Sequence, residues 1–117
     1  MISGDGWLAV DGVDPRRATF PAAARFKQLP VWIFRSDGAF FGVAYSCPHA
    51  HQTMDTGQLV ENGTAIRCSY HHYVFTLSNG AGVNCPSYSI AVYDVQEDSG
   101  TLWIRPRRPH DASPVTR

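Results

Sequence analysis

The sequence predicts an all-β fold, a small antiparallel sandwich or barrel. Four turn signals, Asp37-Gly38, Asn62-Gly63, Asn79-Gly80 and Ser99-Gly100, stand between short runs rich in Val, Ile, Thr and aromatic residues. Those runs are too short and too β-prone for helices. No stretch longer than about ten residues combines helical periodicity with good caps.

Taken in order, residues 6–10 form the first candidate strand. Residues 18–28 come nearest to a helix, but Pro21 interrupts the pattern. Residues 31–35 and 39–45 flank Asp37-Gly38 and read as a hairpin. Residues 64–68 and 73–77 follow, then 90–95 and 101–104 around Ser99-Gly100. Trp7, Trp32 and Trp103 alternate with other apolar residues in these runs and read as core. Residues 105–117 hold three Pro and four Arg. The expected organisation is one domain over residues 1–105 and a Pro/Arg-rich tail over 106–117, with Arg105, Arg107 and Arg108 solvated.

The chain has 117 residues, 44% of them hydrophobic, with ten basic and ten acidic side chains. That is room for one core and leaves no space for a second, substrate-shaping domain. Zero formal charge argues against a nucleic-acid partner or an anionic membrane surface. No apolar run approaches the roughly 20 residues that span a bilayer. Arg16-Arg17 is a twin arginine, yet Pro21 and Arg25 break the apolar stretch an export signal would need, and residues 1–6 are not a secretory leader. The expected compartment is the cytoplasm, where three Cys stay reduced or bind metal. The neutral total hides a pattern. Residues 36–104 carry six acidic side chains against Arg67, a net −5, balanced by +2 in residues 1–35 and +3 in residues 105–117.

Two short segments each combine a thiol with an imidazole: Cys47-Pro48-His49 and, after 18 intervening residues, Cys68-Ser69-Tyr70-His71. Each follows a predicted strand and falls on a loop. Such spacing lets one loop present two ligands without backbone strain, and two loops close over a metal centre from both sides. By ligand type alone, Cys47, His49, Cys68 and His71 suit either an iron–sulfur cluster or one tetrahedral Zn²⁺ in a redox-inactive structural module.

On these residues the chain resembles the Rieske [2Fe–2S] proteins, whose C-x-H and C-x-x-H loops supply one Cys and one His each. The likeness spans residues 30–105. Met54 stands where the family has a large apolar residue, Gly57 follows in a matching place, and Cys85-Pro86 looks like the family's third, Pro-bearing loop. The resemblance implies one [2Fe–2S] cluster per chain, with Cys47 and Cys68 on the inner iron and His49 and His71 on the outer. It further implies a soluble one-electron carrier rather than an enzyme, a ferredoxin passing electrons from a flavin-containing reductase to the terminal oxygenase of a bacterial ring-hydroxylating system. Docking would be transient and centred near His49 and His71, with Asp55 a candidate steering charge. The small subunit of an assimilatory nitrite reductase is the second reading.

The departures from the family are specific. Neither ligand loop has the extra Cys of high-potential members, and Tyr73 and Phe75 stand where those members have Ser and Tyr. Phe75 cannot donate a hydrogen bond, so the expected potential lies near the low end of the Rieske range, about −150 mV. His51 and His72 occupy places where many relatives have Gly. They read as exposed loop imidazoles, the sharper reading being an alternative ligand or proton relay. Cys85 reads as a small buried hydrophobe.

Overall fold

The computed structural model describes residues 6–36, 38–47, 53–61, 63–69, 72–85 and 87–107. Among them the only helical element is one 3₁₀ turn, Met54–Thr56, so the all-β expectation holds. No helix of the described residues is long and apolar enough to cross a membrane.

Nine strands follow in chain order: β1 (Leu8–Ala9), β2 (Ala22–Phe26), β3 (Leu29–Ser36), β4 (Ala39–Ala44), β5 (Gln58–Val60), β6 (Ala65–Arg67), β7 (Val74–Thr76), β8 (Val92–Asp98) and β9 (Thr101–Pro106). Six of them form an antiparallel sheet in the order β1-β9-β8-β4-β3-β2, and β5-β6-β7 form a smaller one. Turn chemistry sets the register. Ser99 and Gly100 both adopt positive φ, +56° and +84°, as a two-residue hairpin loop requires, and they bring Asp98 opposite Thr101. Asp37-Gly38 and Asn62-Gly63 likewise sit between paired strands, β3–β4 and β5–β6.

Two expectations change. Residues 22–26, beyond the Pro21 break, are an edge strand paired with β3 through a turn in which Lys27 takes a left-handed φ of 58°. Asn79-Gly80 reverses the chain after β7 but does not lead into the next full strand. Among the described residues the returning arm pairs through the isolated bridges Phe75↔Gly82 and Ala81↔Ser89.

The large sheet is covered on both faces, and β3 shows why its sequence reads as a continuous apolar run. Val31 and Ile33 enter one core with Val10, Phe26, Tyr93, Val95, Leu102 and Ile104. Trp32 and Phe34 point the other way, toward a second core shared with the small sheet. There Phe34 stacks on Phe41 with ring centroids 5.3 Å apart, and Trp32 stacks on Tyr45 at 5.0 Å. Each such pair contributes about 1 kcal/mol beyond its burial. The tryptophans are less deeply placed than expected: Trp7, Trp32 and Trp103 are all half-buried.

The reading of residues 105–107 as solvated tail is also corrected. Arg105 lies in β9, and its Nε bonds Asp94 Oδ2 at 3.1 Å. Arg107 Nε bonds the other oxygen, Oδ1, at 2.6 Å, and its terminal nitrogen donates to the Leu77 carbonyl at 3.1 Å. Asp94 is 14% exposed, so two guanidinium groups offset the cost of desolvating one carboxylate. The Leu77 bond ties the end of the large sheet to the small subdomain. Arg108 and the rest of the proposed tail lie outside the described residues.

Candidate metal centre

The two ligand segments, residues 47–52 and 68–73, are equal in length, and the described residues on either side of each form a closed base. The first is shut by the Ser46↔Thr53 bridge and by Met54 N–H donating to the Tyr45 carbonyl at 2.8 Å. The second is the hairpin loop between β6 and β7, set by the Arg67↔Val74 pair. It is closed by Cys68 N–H to the Tyr73 carbonyl at 2.8 Å and His72 N–H to the Cys68 carbonyl at 3.0 Å. Each loop therefore begins with a cysteine delivered by the end of a paired segment. His49 and His71 fall within the loops in sequence, but with His51 they lie outside the described residues.

The first loop runs into the 3₁₀ turn, whose N-cap is Thr53. Its Oγ1 accepts Asp55 N–H at 3.5 Å and Trp32 Nε1–H at 2.9 Å, fixing the turn to β3. Gly57 follows the turn, and a Cβ there would stand 3.1 Å from both the Ile66 side chain and the Met54 carbonyl oxygen. The 3₁₀ turn that follows the first loop is joined to the second loop by the Thr56 and Ser69 hydroxyls, 2.7 Å apart. Sequence reading passed over that link, since neither hydroxyl belongs to a ligand pair.

Cys47 and Cys68 are 0% and 1% exposed, and neither is in a disulfide. They share a core with Met54, Ile66, Phe75, Leu77 and Cys85. Two thiols at adjacent loop bases, in an apolar shell with soft sulfur donors, fit the thiolate half of a [2Fe–2S] site and exclude water from it. Among the described residues no larger cluster of His, Cys, Asp or Glu surrounds them.

Other residues find their places around this pair. Met54 is fully buried, as its match to the family's apolar position predicts. Phe75 is also fully buried and supplies no hydroxyl, while Tyr73 stacks on Tyr88 of the third loop at 6.0 Å. Cys85 is 6% exposed, and burial pushes its thiol pKa up, as suits a packed hydrophobe rather than a reactive thiolate. Asp55 is half-buried, and its Oδ1 is shut from water with no hydrogen-bond partner among the described residues. That placement blunts its expected role as a freely solvated steering charge.

His72 is exposed and left-handed, with φ of 58°. An L side chain in this conformation carries about 1 kcal/mol of strain that glycine would avoid. Replacing His72 by Gly is expected to stabilise the protein by roughly 0.5–1 kcal/mol, read as a higher midpoint in denaturant. A lower midpoint would mean that the imidazole itself stabilises the loop.

A family model of the Rieske [2Fe-2S] domain matches residues 6–94. The ferredoxin component of the alkene monooxygenase system of Xanthobacter autotrophicus is 26% identical over 74 residues, covering 63% of this chain. The chain spans 60% of the length of that relative. The ferredoxin of carbazole 1,9a-dioxygenase from Nocardioides aromaticivorans superposes with a TM-score of 0.69 at 21% identity, over 86% of this chain and 98% of its own. A protein named as the NADH-dependent nitrite reductase small subunit of Mycobacterium tuberculosis gives the same TM-score at 19% identity, over 84% and 92%. With the two buried thiols at paired loop bases and a family match across most of its length, the chain belongs to the Rieske [2Fe–2S] domain family.

Proposed function

We propose that the protein is a one-electron carrier, the ferredoxin of an oxygenase system, holding its cluster through Cys47, Cys68, His49 and His71. The observation that carries this reading is the pair of closed loops, each opening on a fully buried cysteine and each containing a histidine in sequence. The names of its relatives support the oxygenase setting. Family membership favours the iron–sulfur cluster over the zinc alternative.

When bound, the cluster supplies a centre that accepts and returns one electron. The chain's own residues do the rest. Cys47 and Cys68 anchor it from within the apolar core, where Met54, Ile66 and Phe75 keep water from the sulfur side. His49 and His71 provide neutral ligands, which lessens the electrostatic cost of adding an electron relative to four thiolates. The Thr56–Ser69 link ties the 3₁₀ turn to the second loop, and backbone hydrogen bonds close the bases of both loops.

In this reading the partners are a flavin-containing reductase and a terminal oxygenase, docked transiently near His49 and His71, and the compartment is the cytoplasm. Purified protein should be red-brown, bleach with dithionite and mediate turnover between such a reductase and oxygenase. Stable co-purification with a large sirohaem subunit would favour the nitrite reductase reading, which rests on a structural likeness of lower identity and coverage. A colourless zinc protein would overturn both.

Phe75, fully buried and without a hydroxyl, offers the site no hydrogen-bond donor from its side chain. Hydrogen bonds to cluster sulfur favour the reduced, more negative state, so their loss lowers the midpoint. The expected value is about −150 mV, and a redox titration well above zero would refute it.

A further inference from the structure

The third loop turns back on itself at residues 82–85. A Cβ on Gly82 would lie 2.2 Å from the Cys85 carbonyl oxygen and 2.8 Å from its Sγ, so glycine alone permits the turn. The turn aims the Asn84 side chain at the backbone leaving the second ligand loop. Val74 N–H donates to Asn84 Oδ1 at 3.0 Å, and Asn84 Nδ2 donates to the His72 carbonyl at 3.1 Å. A backbone N–H only donates and a carbonyl only accepts, so these partners fix the orientation of the amide. Val83 N–H adds a bond to the Val74 carbonyl at 2.7 Å. Asn84 thus pairs with both sides of Tyr73 as a neighbouring strand would.

The bonding continues to the ligand. His72, held left-handed at φ of 58°, donates its N–H to the Cys68 carbonyl, and Cys68 N–H returns to the Tyr73 carbonyl. A strained residue keeps such a conformation only where its surroundings fix it, and Asn84 holds its carbonyl.

We infer that Asn84 is a positioning residue for the second ligand pair, bracketing the exit of the 68–73 loop so that Cys68 and His71 retain the cluster. The inference rests on the cluster reading proposed above. It concerns a residue outside every ligand motif, on the exposed surface of the third loop.

The test compares Asn84→Ala with Asn79→Ala in the cluster-loaded protein. Asn79 is a matched control, since its Oδ1 accepts the Thr76 hydroxyl at 2.7 Å and Ala81 N–H at 3.0 Å in the preceding turn. Visible absorbance is followed in excess chelator, and the EPR spectrum is recorded after reduction. Asn84→Ala should lose its cluster about tenfold faster than the parent and shift the g values, whereas Asn79→Ala should stay within about twofold with an unchanged spectrum. Asn84→Asp keeps the acceptor for Val74 N–H but turns an oxygen toward the His72 carbonyl. It too should lose the cluster faster, and it serves if the alanine variant does not fold. Equal cluster lifetimes and spectra in the Asn84 and Asn79 variants would overturn the inference. A parent protein that binds no cluster would instead overturn the underlying functional reading.

Discussion

Cys68→Ala should purify colourless, with iron falling from about two atoms per chain to near zero and no EPR signal after reduction. Cys68 is 1% exposed in a core that includes Cys47, Met54, Ile66 and Phe75, so water does not readily replace the lost sulfur. Alanine is the informative choice because serine would leave an oxygen donor. Ligand binding to the native state adds to its stability, so the variant should also melt at lower temperature than the loaded parent. Cys85→Ala separates ligation from packing. Cys85 belongs to the same core and is nearly as buried, but it stands outside the two ligand loops. Its variant should keep the colour and the iron and lose about 1 kcal/mol of stability. Iron analysis beside a denaturant titration distinguishes the two outcomes. Full iron content in Cys68→Ala would remove Cys68 from the ligand set.

The contrast between these cysteines shows what the sequence made legible. Spacing picked out Cys47 and Cys68 because a C-x-H or C-x-x-H pair is a local signal, readable without knowing which strands meet. Hairpins with a Gly at positive φ were equally local, which is why Asp37-Gly38 and Ser99-Gly100 mark their turns correctly. What escaped depends on contacts distant in sequence. Arg107 reads as tail until the register of β9 sets it beside Asp94 and the Leu77 carbonyl. Thr56 and Ser69 are 13 residues apart, and Asn84 meets backbone 10 and 12 residues away. A polar side chain in a loop carries no mark of such a partner. The position of Asn84, directly before Cys85-Pro86, was the one available hint, because asparagine often hydrogen-bonds to backbone in turns. Edge strand β2 was obscured differently: Ala-rich and short, it gains its conformation from pairing with β3 rather than from propensity.

Gly80→Ala should be the most damaging substitution outside the ligands, costing at least about 3 kcal/mol. Two independent effects add. Gly80 has φ of +79°, where an L side chain is strained by about 1–2 kcal/mol. Its Cβ would also stand 1.8 Å from the Ile90 carbonyl oxygen, a backbone atom that cannot rotate aside. Relief requires residues 80 and 90 to separate, yet Ile90 N–H bonds the Gly80 carbonyl at 2.8 Å and Gly80 N–H bonds the Thr76 carbonyl at 2.8 Å. Separating them would also disturb Ile90 and Val92 in the core that holds both cysteines. Gly38→Ala supplies the comparison. Its φ is +81°, almost the same, but no atom lies within 4 Å of the added Cβ. It should show the conformational cost alone, about 1 kcal/mol. The difference between the two variants in denaturant midpoint therefore measures the steric contact, and cluster lifetime shows where the damage falls. Gly80→Ala should lose its cluster faster because it displaces the segment leading into the third loop, while Gly38→Ala, in the β3–β4 turn, should not. Equal destabilisation by both would mean that the Gly80–Ile90 contact relaxes at little cost, and that the third loop is held by Asn84 and the Tyr73–Tyr88 stack instead.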